Sequence, residues 1–177
     1  MTYEADLRRR IQSSDLWPDF ERPEFLDDLD SLAEQALNRA TVEGALAALL
    51  IYHQLSEEMV RLLVRDSQFF IQLAVFPAEI SFPNRPRQMF GQLLDDLRHT
   101  VSFPERDEIL SLCEDINKRR NDLVHRLTRR TTLADILLSV QDVQRCYSSL
   151  YQEFEQAHDY FRVSFHSFKK DTFSDDY

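Results

Sequence analysis

Only two glycines, Gly44 and Gly91, occur in the 177 residues. Strand-rich folds turn their hairpins through positive-φ positions that glycine fills at least cost, so a chain this poor in glycine predicts helices. The same scarcity excludes a P-loop or a dinucleotide fingerprint, because two isolated glycines cannot build either phosphate-cradling loop. With 43% hydrophobic and 29% charged residues, the chain has the balance of a folded domain. The expectation is an all-α, single-domain bundle of about five helices.

Helical periodicity places those elements. Residues 1–22 carry no long apolar period and are broken by Pro18, with Pro23 following, which predicts an N-terminal arm with one short helix. From Glu24, the spacing of Phe25, Leu29, Leu32, Ala33, Ala36 and Leu37 predicts a helix to about Arg39. Thr41 suits an N-cap for a helix from Val42 towards Val75, apolar on most of its early circumference and so the central element. Pro77 and Pro83 mark a loop up to the helix-starting Asn84-Arg85-Pro86, after which Met89, Phe90, Leu93, Leu94 and Leu97 share a helix face. Ser102 to Glu105 has capping-box spacing for a fourth helix reaching about Thr128, and Thr132 to Asp135 starts a fifth through Phe154 and Phe161. The bundle is thus expected over residues 23–165, with residues 166–177 as a mobile C-terminal tail.

The first 22 residues are dominated by Arg, Asp, Glu and Gln and show no signal-peptide segment, and the most apolar stretch, Ala45 to Tyr52, is far too short to span a bilayer. A cytoplasmic protein without membrane attachment is expected. Cys113 and Cys146 lie in helical segments without a metal-binding spacing, which predicts buried free thiols, no metal and no cofactor.

Net charge is −10, yet the window Asn117 to Arg130 holds Lys118, Arg119, Arg120, Arg126, Arg129 and Arg130 against the single acid Asp122. On a helical wheel, Ile109, Leu112, Cys113, Ile116, Leu123 and Leu127 form one stripe with Arg120 near its centre. A guanidinium in such a position needs an acid, a partner subunit or an anionic ligand. Glu57 or Glu58, polar residues of the central helix, are the candidate acids. Asn121 and His125 are i,i+4 neighbours on a different face, with His125 about 140° from Arg120.

The segment Arg120-Asn121-Asp122-Leu123-Val124-His125 resembles the R-x4-H signature of the HEPN superfamily, including the polar residue after the arginine. The resemblance implies a helical bundle, a homodimer with Arg120 and His125 near its axis, and metal-independent endoribonuclease activity. His125 would move a proton at the ribose 2′-hydroxyl or leaving oxygen, Arg120 would stabilise charge at phosphorus, and Asn121 would hold imidazole or substrate. Lys118, Arg119, Arg126, Arg129 and Arg130 would contact the RNA backbone. A toxin or phage-defence setting, with an antitoxin or regulatory protein as partner, follows from the family alone. In one toxin branch a tyrosine stands two residues after the histidine; here that residue is Leu127, which departs from the pattern.

Plainer readings stand beside these. Arg120 is then a core arginine paired to an acid, His125 a solvated histidine, and the basic window a complement to the helix macrodipole. His53 and Glu57, also i,i+4, read as a satisfied core histidine with a neighbour or as a catalytic or metal pair, and the aromatic run from Phe154 to Phe168 reads as packing surface. The long apolar helix followed by Leu63-Val64-Arg65-Asp66 also resembles mannitol-operon-repressor-like proteins, which implies a noncatalytic helical regulator or dimeric interaction protein.

Overall fold

The computed structural model describes residues 2–83, 85, 88–129 and 132–173, with side chains to residue 168. Six α-helices run in the order α1 (Tyr3–Gln12), α2 (Pro23–Asn38), α3 (Val42–Val75), α4 (Phe90–Arg98), α5 (Arg106–His125) and α6 (Leu133–Phe173), with short 3-10 turns at Ser14–Leu16 and Leu127–Arg129. No strand occurs among the described residues. Helix α3 is central, packing on α2, α4, α5 and α6. No helix among the described residues is long and apolar enough to cross a membrane.

Local chemistry explains most of the boundaries. The Thr41 hydroxyl accepts from the Gly44 amide (3.1 Å) and starts α3. Thr132 and Asp135 exchange reciprocal side-chain to backbone bonds of 3.2 and 3.1 Å, the capping box expected for α6. The box expected at Ser102 does not form. Phe103 is instead buried edge-on against Phe161 (5.2 Å between centroids), Pro104 lies in a turn, and α5 begins only at Arg106 without a side-chain cap. Burial of one aromatic ring outweighs a bond worth about 1 kcal/mol.

Both ends of the chain extend the bundle beyond residues 23–165. Leu7 and Ile11 of α1, together with Trp17, are buried in the main core, and Trp17 meets Phe165 edge-on at 5.4 Å. Helix α6 continues to Phe173, into the segment expected as a tail, because Phe161 and Phe165 are buried and Phe168 packs on Phe70. Residues 174–177 lie outside the described residues. Cys113 is fully buried, whereas Cys146 is only half-buried and its thiol donates to Asp115 (3.3 Å).

Gly44 owes its place to close packing. A Cβ there would lie 2.1 Å from the backbone oxygen of Ala36 on α2, while a Cβ on Gly91 would meet nothing within 4 Å. Helix propensity favours alanine over glycine at both sites. We therefore expect Gly44→Ala to destabilise by about 1–3 kcal/mol. Gly91→Ala should be neutral or stabilising by up to about 1 kcal/mol. Urea denaturation of the two variants checks the difference in sign.

Candidate functional site

Arg120, Asn121 and Asn117 of α5 face an open cleft of about 780 Å³ shared with His53, Gln54 and Glu57 of α3 and with α4. The Arg120 Nη1 donates to Asn121 Oδ1 (2.9 Å). Asn121 Nδ2 in turn donates to Asn117 Oδ1 (3.4 Å), which also lies 3.4 Å from His53 Nε2. Since Asn117 Oδ1 can only accept, the latter contact requires the proton on His53 Nε2 and leaves Nδ1 with its lone pair. A polar chain therefore links Arg120 to His53 across two helices.

Arg120 sits half-buried, as the apolar stripe around it requires, and makes no ion pair among the described residues. Its Nε is buried without a hydrogen-bond partner. The acids expected to meet it are taken elsewhere: Glu57 binds Arg61 at 2.7 Å and Glu58 binds the same arginine at 3.4 Å. The reason is local, because residues three and four apart on one helix are already neighbours and pair without a long side chain reaching to another element. Glu57 still lines the cleft, and burial raises its carboxyl pKa despite the opposing charge of Arg61.

His53 is 7% exposed and stacked edge-on against Phe90 at 5.0 Å. Burial lowers its pKa, the Asn117 contact opposes this, and the charge of Arg120 lowers it further, so the ring is neutral at pH 7. His125, by contrast, is exposed as the last residue of α5 and is not part of the cleft wall. The fold of the single chain thus brings together Arg120, Asn121 and the histidine from α3, and leaves His125 outside. The sequence held one sign of this: His53 and Glu57 stand one turn apart on a mostly apolar helix.

The basic window is less free than its composition suggests. Arg119 bridges Asp115 (2.7 Å) and Asp142 of α6 (3.0 Å); the Asp115 bond raises its pKa, and Arg119 in return lowers that of Asp115. Arg126 pairs with Asp122 at 3.2 Å. Lys118 and Arg129 are exposed, and Arg130 lies outside the described residues. No group of three or more His, Cys, Asp or Glu among the described residues is arranged to hold a metal ion. No family model matches the chain, and neither a curated protein nor a solved structure matches it.

Proposed function

We propose that the chain is an RNA-cleaving enzyme of the HEPN kind, acting through the ribose 2′-hydroxyl with Arg120 as the phosphate-binding group. The observation that carries this reading is the half-buried Arg120, whose Nε has no hydrogen-bond partner and which makes no ion pair among the described residues while it faces an open cleft. A planar guanidinium fork with unfilled donors fits the non-bridging oxygens of a phosphodiester and stabilises the charge that develops there during in-line attack. Asn121 holds the guanidinium in place.

The proton has to move through a histidine. The resemblance assigns this to His125, which then reaches the cleft of a second subunit; exposed Val124, Leu133 and Leu138 around the α5–α6 connection supply apolar surface for a homodimer. A second reading gives the task to His53, because it shares the Arg120 cleft and presents a neutral ring there. The two readings separate on oligomeric state, since only the first requires a dimer. The noncatalytic regulator remains the rival to both.

Purified protein incubated with mixed RNA in excess chelator is expected to yield fragments ending in 2′,3′-cyclic or derived phosphate. A substrate with deoxyribose at the scissile position should stay intact, because its attacking hydroxyl is missing. Absence of cleavage on every RNA tried would transfer the proposal to the regulator.

The basic residues should differ in their effects. Lys118→Ala and Arg129→Ala are each expected to weaken RNA binding and to lower the slope of log affinity against log salt by about one. Arg119→Ala should show a smaller binding loss, because that side chain is already committed to Asp115 and Asp142. Its cost to stability should stay below about 1 kcal/mol, as for an exposed pair. Filter binding across a salt series, with thermal denaturation as companion, reads both.

A further inference from the structure

We propose that the recess between α1, the turn that follows it and α3 binds a small phosphate monoester carrying an apolar organic group. Arg10 of α1 and Arg65, Gln68 and Gln72 of α3 line a volume of about 320 Å³, and no Asp or Glu is among its lining residues. The two cations are close neighbours. The Arg10 guanidinium lies 4.3 Å from the centroid of the Phe69 ring, and Arg65 stands one turn before Phe69 on α3. Neither arginine makes an ion pair among the described residues, because the acids beside them are committed: Asp6 pairs with Arg9 at 3.0 Å and Asp66 with Arg162 at 2.9 Å. Arg10 Nη1 donates to Gln72 Oε1 (3.3 Å) and Arg65 Nη2 to the Asp19 carbonyl (2.9 Å), so both heads have neutral partners only.

Two like charges gathered in one recess without a counter-ion are unfavourable, and Arg10 carries the sign of it. Its side chain is half-buried, and burial lowers its pKa while the charge of Asp6 opposes the fall. A dianion entering the recess relieves both the repulsion and the desolvation. Each guanidinium has five N–H donors in a planar fork, and one nitrogen of each is engaged, which leaves donors for the oxygens of a phosphate. A phosphate monoester brings a charge of about −1.5 to −2 at pH 7 and so matches the pair, whereas a carboxylate brings one. The phosphate alone leaves much of the volume unfilled. The remaining wall includes half-buried Phe82, Leu16 and Pro18, an apolar surface that suits a flat or aliphatic substituent on the ester.

The recess shares no lining residue with the Arg120 cleft, so its test is independent of RNA cleavage. Calorimetric titration with phenyl phosphate at constant ionic strength should give saturable binding at one site, tighter than that of inorganic phosphate or of the singly charged phenyl sulfate. Arg10→Gln should weaken it by about tenfold or more, the loss expected for charge-assisted contacts. Phe82→Ala, which leaves both charges in place, should weaken phenyl phosphate and leave inorganic phosphate unchanged, so the idea stays testable even if Arg10→Gln folds poorly. Arg120→Ala should bind like the parent. Heats that do not saturate would overturn the proposal, as would equal affinity for phenyl phosphate and phenyl sulfate or unchanged affinity in a folded Arg10→Gln. Loss of binding in Arg120→Ala would also overturn it and place the phosphate in the other cleft. Binding of a 5′-phosphorylated oligonucleotide without binding of phenyl phosphate would overturn it too and make the recess part of an RNA surface.

Discussion

Replacing Arg162 by alanine is expected to destabilise the fold by about 3–5 kcal/mol, the cost of stranding a buried charge. One Arg162 nitrogen, Nη2, donates to Asp66 Oδ1 (2.9 Å) and to the Pro18 carbonyl (2.6 Å), and it lies 2.7 Å from His158 Nε2. Asp66 is wholly buried and its second oxygen has no hydrogen-bond partner. Arg65 adds a bond to the Asp19 carbonyl at 2.9 Å, so the two arginines together hold the connection between α1 and α2 against α3 and α6. For a domain of this size the thermal midpoint should fall by on the order of 10 °C. Amide exchange in α1 should accelerate in the variant, because its tether is lost.

The same cluster sets a pH dependence whose sign can be worked out. Burial raises the Asp66 carboxyl pKa to about 7, with Arg162 and Arg65 pulling the other way and Asp19 adding to the rise. A carboxyl whose folded pKa exceeds its unfolded value contributes stability that is fully present below the unfolded pKa and is lost as pH climbs through the folded one. Between pH 4 and 7, then, Asp66 should make the parent less stable as pH rises. Asp66→Asn should remove that slope, and the loss in Arg162→Ala should be larger at pH 8 than at pH 5, where a stranded Asp66 can protonate. Urea midpoints across pH for the three proteins decide it, and a pH-independent loss would show that the ion pair is not the cause.

For the proposed cleavage, Arg120→Ala should lower the rate by about 10²–10³-fold, the range for loss of one preorganised charge donor. The histidine that moves the proton should cost about 10²–10⁴-fold. His125→Ala and His53→Gln therefore form the decisive pair. A dimer in sedimentation with a large loss only in His125→Ala supports the shared site, whereas an active monomer with a large loss only in His53→Gln supports the cleft within one protomer. The Arg120 and histidine losses should not add in the double variant, because groups acting in one transition state cost nearly the same singly or together. Circular dichroism of His53→Gln has to match the parent, as that ring is buried against Phe90. Full activity in both histidine variants would sink the mechanism.

What the sequence determined by itself is everything that local interactions decide. The spacing of Phe25 to Leu37 marks α2, Thr41 marks the start of α3, and Thr132 with Asp135 marks the start of α6, each through contacts among residues within a few turns. The unusual place of Arg120 was also legible, because a charge inside an apolar stripe breaks a local pattern. Tertiary structure decided what pairs with what. Burial of Phe103 displaced the start of α5, and α1 joined the core through Leu7, Ile11 and Trp17. His53 reaches Asn117 across 64 residues of chain, and Asp66 reaches Arg162 across 96. Helical period reports which face of an element is apolar; it carries no information on which distant element covers that face, and that choice settles the surroundings of every polar group along its edge.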